Sequence, residues 1–123
     1  FLKKRFSYLK IVPWKDLKDE IKKFDIIIPA TSLGLKNGDD FDFNGYDLII
    51  NTSSEHMNTD WFDRVEKGTM VAIQSNDFHE IEEHINTVND LTELQKKFNM
   101  KEILYSGVRD CDRYNRFMLI GVK

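Results

Sequence analysis

The chain of 123 residues holds one cysteine, two prolines and six glycines, and each scarcity excludes something. A lone Cys111 permits no disulfide within the chain, which removes the stapled small-scaffold class. It also fits a reducing compartment, so a cytoplasmic location is the expectation. Its neighbours Asp110 and Asp112 disfavour the thiolate, which makes Cys111 a poor nucleophile. No run approaches the roughly 18 apolar residues of a membrane-spanning helix, so no membrane partner is expected. The N-terminal stretch lacks an apolar centre followed by a small-residue cleavage site. No internal repeat, low-complexity tract or flexible linker is visible. Eighteen Lys and Arg against 21 Asp and Glu leave a net charge of −3, which argues against a nucleic-acid surface. The basic group Lys3, Lys4 and Arg5 reads as a solvated end.

What is present is enough for one core. Hydrophobic residues make up 41% of the chain and charged residues 32%, the balance of a soluble globular domain spanning residues 1–123. The order of local patterns gives its class. "YLKIV" (8–12) reads as a short strand stopped by Pro13, and "WKDLKDEIKKF" (14–24) spaces Trp14, Leu17, Ile21 and Phe24 as one helical stripe. "DIIIPA" (25–30) and "YDLIIN" (46–51) are continuous apolar runs of the kind found in strands buried on both faces. Between them lies a turn-rich acidic segment, "LKNGDDFDFNG" (35–45).

Helix is expected over 58–68, with Asn58 or Thr59 as cap and Gly68 as stop, then strand over 69–75. Residues 77–90 are polar and ambiguous. Asp90 and Glu93 have capping-box spacing for a helix over 90–98. Strands over 100–107 and 114–122 have no helix between them and should pair antiparallel. Alternation with short connections predicts an α/β fold: a Rossmann-like, mostly parallel sheet with helices on both faces and a C-terminal antiparallel hairpin strand.

The segment that breaks this regularity is "NTSSEHM" (51–57), which follows a buried strand with an amide, three hydroxyls, a carboxylate and an imidazole. In open α/β sheets, ligands bind outside the carboxyl ends of strands. Two segments satisfy that placement: Asn51 to Met57, and Thr31-Ser32 after "IIIPA".

Several stretches, in order, resemble the C-terminal half of class I S-adenosylmethionine-dependent methyltransferases. "GDDFDFNGYDLIINTS" is similar to that family's acidic turn and the strand facing the transferring methyl group. "WFDRVEKGTMVAIQSNDF" resembles its next helix, turn and strand, and "ILYSGVRDCDRYNRFMLIGVK" its closing hairpin. "INTSSEHM", "IQSND" and "YNRFMLIG" together look like a bacterial and phage group within the family. The likeness covers roughly residues 38 to 123 and implies a partial methyltransferase fold. It implies S-adenosylmethionine as cofactor, an unidentified small-molecule or macromolecular methyl acceptor as partner, and donor contacts from Asp39, Asp40, Asn51 and Thr52. The family's Gly-rich first turn is absent, as is the acidic residue ending its second strand. The expectation is therefore a fragment lacking the N-terminal cofactor-binding half. Residues 24–37 pull elsewhere: "FDIIIPATSLGLKN" resembles the "INATSLG" segment of shikimate dehydrogenases, which implies an NADP-dependent oxidoreductase, with Pro29 where that family has Asn. A non-catalytic α/β binding fragment is the remaining alternative.

The candidate catalytic residues are Asn51, Glu55 and His56. Asn51 is either an amide orienting substrate or cofactor, or a loop residue capping local backbone. Glu55 and His56 are either a base or anchor for the acceptor, or a helix-start carboxylate and a solvated imidazole. Gln74, Ser75 and Asn76 either line the same edge or cap the next loop. His79 and His84 in "HEIEEH" stand five positions apart, about 140° around a helix, so no metal is expected there. Tyr114, Arg116 and Phe117 in "RYNRF" read as a strand with one buried and one exposed face.

Overall fold

A computed structural model describes residues 43–123 together with the backbone of residues 26 and 27. The elements expected over 8–24, the "ATSLG" segment, Thr31-Ser32, Asp39 and Asp40 lie outside the described residues. The elements in order are β1 (Ile26–Ile27), β2 (Leu48–Asn51), a 3-10 turn (Ser54–His56), α1 (Asp60–Arg64), β3 (Met70–Asn76), α2 (Leu91–Lys97), β4 (Glu102–Asp110) and β5 (Asn115–Val122). They form one sheet in the order β1-β2-β3-β5-β4.

Among the described residues an α/β arrangement with an antiparallel C-terminal hairpin is present, with parallel and antiparallel strand pairs in equal number. β1 and β2, and β2 and β3, pair parallel, whereas β3 with β5 and β5 with β4 pair antiparallel. The described strands thus make a mixed sheet. The reason is the position of β5, which enters between β3 and β4 and runs against both.

Register decides which side chains enter the core. Ile49 aligns with Val71 and Asn51 with Ile73 across the parallel pair. Val71 then faces Gly121, Ile73 faces Leu119 and Ser75 faces Phe117 across the antiparallel pair. Because side chains alternate faces along a strand, these residues share one face, and all are buried. The opposite face carries Ile50, Ala72, Met118 and Ile120, all only half-buried. The outer strand β4 is exposed along nearly its whole length.

On the buried face α1 and the end of α2 meet in an aromatic cluster. The Trp61 ring centre lies 6.0 Å from that of Phe43, 5.8 Å from Phe62 and 5.7 Å from Phe98. Phe62 and Phe98 meet edge to face at 5.4 Å. Burying side chains of this size contributes about 1.5–3 kcal/mol each.

The helix ends follow their sequence signals in part. The Asp90 side chain accepts from the N–H of Glu93 at 2.8 Å, as capping-box spacing predicts. Glu93 reciprocates one residue early, accepting from the N–H of Asn89 at 2.8 Å. The backbone and side-chain bonds from Asn89 hold the Glu93 carboxyl below its usual range. At α1 Thr59 occupies the cap position and makes no side-chain capping bond. At the other end of α1, the Lys123 ammonium donates to the Phe62 and Asp63 carbonyls. A cation there complements the negative end of the helix. Burial pushes the Lys123 pKa down, with Asp63 opposing the shift. Among the described residues no helix is long and apolar enough to cross a membrane.

Candidate functional site

The carboxyl ends of β2 and β3 lie side by side, and the polar segment 51–57 rises from the first of them. Asn51 is fully buried, and both ends of its amide are engaged locally. Its Oδ1 accepts from the Ser53 N–H at 3.0 Å and its Nδ2 donates to the Met57 sulfur at 3.0 Å. The amide therefore ties the segment into a tight turn, the loop-capping alternative read from the sequence. Thr52 is half-buried beside it.

The turn that follows is fastened to β3. The buried Ser54 hydroxyl donates to the Gln74 carbonyl at 2.5 Å. Beyond β3, the loop 77–90 is laced back over the same spot. Asn86 donates its N–H to the Glu55 carbonyl at 2.9 Å and its Nδ2 to the Ser54 carbonyl at 3.4 Å. Its Oδ1 accepts from Lys97 at 2.9 Å, and Lys97 also donates to the Thr87 carbonyl at 2.8 Å. Ser75 donates to the Asn86 carbonyl at 3.4 Å, and the Asn76 Oδ1 accepts from the Phe78 N–H at 3.0 Å. Ser75 and Asn76 therefore hold the next loop, again the capping alternative.

This lacing brings together residues that the sequence keeps apart. One donor atom each from Glu55, His56 and His84 lie within 4.8 Å of one another. The two imidazoles meet edge to face with ring centres 4.5 Å apart. His56 donates from Nδ1 to the Glu83 carbonyl at 3.1 Å, and His84 from Nδ1 to the Phe78 carbonyl at 2.7 Å. A carbonyl oxygen only accepts, so Nδ1 carries a proton in both rings, and in the neutral tautomer Nε2 is then the nitrogen left to accept or coordinate. Glu55 is 4% exposed, and its Oε2 is buried without a hydrogen-bond partner. His56, by contrast, is exposed, so the cluster has a buried end and an open one.

Residues 79–84 form turns rather than a helix, and His79 contacts the Thr87 hydroxyl at 2.5 Å. Sequence reasoning singled out Glu55 and His56 as candidates by their place after a buried strand. It missed His84 as their neighbour, because no local pattern signals a contact made through the Asn86 lacing.

Around the cluster, Phe78 stacks on Tyr114 with ring centres 5.5 Å apart, and the Arg116 guanidinium lies 5.8 Å from the Tyr114 ring centre. The hydrogen bond to Tyr114 is the main cause raising the Arg116 pKa; burial opposes it, and Coulombic interaction with Tyr114 and Glu55 adds to it. A polar groove of about 510 Å³ lies nearby, lined by residues that include Asp77, His79, Asp110, Arg113 and Asn115, and it shares no residue with the cluster. Asp77 bridges the groove wall. Burial pushes its carboxyl up, but bonds from the Asn115 side chain and backbone outweigh that and hold it below its ordinary value.

Comparison with family models, with curated proteins and with solved structures finds no match to this chain.

Proposed function

We propose that the protein is an S-adenosylmethionine-dependent methyltransferase whose acceptor sits at the carboxyl ends of β2 and β3. On this reading the described residues are the second half of a Rossmann-like sheet with helices on both faces, and the methyl donor contacts residues upstream of β2. The observation that supports it is the placement of Glu55, His56 and His84. They form a polar cluster, closed at one end and open at the other, where open α/β sheets hold ligands. The parallel pair β2 and β3, followed by the antiparallel β4–β5 hairpin, is also the arrangement that the sequence resemblance implies.

S-adenosylmethionine would supply an electrophilic methyl group to an acceptor oxygen or nitrogen and leave as the neutral thioether, with the acceptor's proton passing to a neighbouring base or to water. Glu55, His56 and His84 orient that heteroatom, and Asn51 with Ser54 holds the turn that carries them. Titration calorimetry of the full-length protein with S-adenosylhomocysteine and, separately, with NADP tests the reading. Saturable heat with S-adenosylhomocysteine alone supports it. Silence toward S-adenosylhomocysteine, or binding of NADP in its place, overturns it. In a transfer assay His56→Ala should lower turnover by more than about tenfold, since a misplaced acceptor forfeits much of the benefit of orientation.

A further inference from the structure

We propose that Glu55, His56 and His84 form a binding site for a divalent cation of the zinc class. The site stands on the chain's own donor atoms and does not depend on the methyl-transfer reading.

Three observations converge on it. The first is the donor set. Two imidazoles and one carboxylate, with one donor atom from each inside 4.8 Å, are ligand types that borderline cations such as Zn²⁺ accept. Three donors around a zinc ion at about 2.1 Å lie roughly 3.4 Å apart in tetrahedral geometry. The observed spread, within 4.8 Å, is wider, so the three donors close in when the ion binds.

The second is the carboxylate. Glu55 is 4% exposed and its Oε2 has no hydrogen-bond partner, although buried polar oxygens are nearly always paired. Arg116 is the nearby cation, but its hydrogen bond goes to Tyr114, and it acts on Glu55 only through space. A cation on Oε2 supplies the missing partner. Arg116 weakens the site somewhat by like charge, and the carboxylate offsets that effect.

The third is the state of the imidazoles. Both Nδ1–H groups are fixed on main-chain carbonyls, of Glu83 and of Phe78. Metal-bound histidines are usually held in this way, because the bond orients the ring and leaves Nε2 free to coordinate. A merely solvated pair has no need of two such anchors. Three protein ligands leave a fourth position for water or a substrate atom, on the side where His56 meets solvent.

The test uses the full-length protein after treatment with a chelator. Zn²⁺ titrated in a calorimeter should bind at about one equivalent, and Co²⁺ in its place should give the visible absorption of a four- or five-coordinate site. His56→Ala, at an exposed position where folding is insensitive, and Glu55→Gln, which keeps the shape, should each weaken Zn²⁺ binding by at least about tenfold. His79→Ala should leave it unchanged. The proposal is overturned if the wild-type protein takes up no stoichiometric Zn²⁺. It is equally overturned if His56→Ala and Glu55→Gln both bind as wild type, or if His79→Ala weakens binding as much as His56→Ala does.

Discussion

The N–H of Asn86 donates to the carbonyl of Glu55 at 2.9 Å, joining the loop after β3 to the turn after β2. The Asn86 side chain doubles that link through the Ser54 carbonyl and extends it to Lys97. Asn86→Ala removes both side-chain bonds and leaves the ammonium with fewer acceptors. Urea denaturation should show a loss of about 1–2 kcal/mol. A variant as stable as wild type would mean that the backbone bond alone holds the loop.

Trp61 separates bulk from polarity. It is fully buried, and its indole N–H has no hydrogen-bond partner. Trp61→Ala empties the centre of the aromatic cluster and should cost about 3–5 kcal/mol. Trp61→Phe keeps a ring there and deletes the orphan donor, so its cost should stay under about 1.5 kcal/mol. Equal losses in the two variants would show that the N–H matters after all.

The two α-helices among the described residues predict opposite responses to cap removal. Asp90→Ala deletes the acceptor of the Glu93 N–H and should cost about 1 kcal/mol. Thr59→Ala deletes no capping bond, and its melting temperature should match wild type. A large loss at Thr59 would contradict the geometry of α1.

Asp77 should impart an acid-side pH dependence. Its folded pKa lies below the ordinary 3.8 because Asn115 bonds its carboxylate. A depressed carboxyl contributes stability above the unfolded pKa and loses it as pH falls through the folded one. The stability gap between wild type and Asp77→Asn should therefore be constant near neutrality and shrink as pH drops below 3.8. A gap that grows with acid would reverse the assigned direction.

Much of the scaffold was legible because its signals are local. The β-branched run around Ile49, the apolar run around Ile73 and the Asp90–Glu93 spacing each declare an element within a few residues. The hairpin of β4 and β5 followed from the lack of a helix between them. The mixed character of the sheet was less readable, since it depends on β5 choosing β3 as a second neighbour. The site divides along the same line. Asn51, Glu55 and His56 were candidates from their place after a buried run, while the engagement of the Asn51 amide depended on where Ser53 and Met57 fold back. His84 was invisible as a partner because hydrogen bonds between distant segments set its position.

The placement of β5 has a consequence for synthesis. It follows all its neighbours in the chain yet lies between two of them. Until residues 115–122 leave the ribosome, β3 has an open edge and β4 has no partner among the described strands. The nascent chain therefore presents one open sheet edge and one unpaired strand, the latter carrying Ile103, Leu104, Tyr105 and Val108, to any neighbouring polypeptide. A ribosome that stalls just short of Asn115 would release a sticky product rather than a slightly shortened domain, and such species are natural clients for chaperones that cover strand edges.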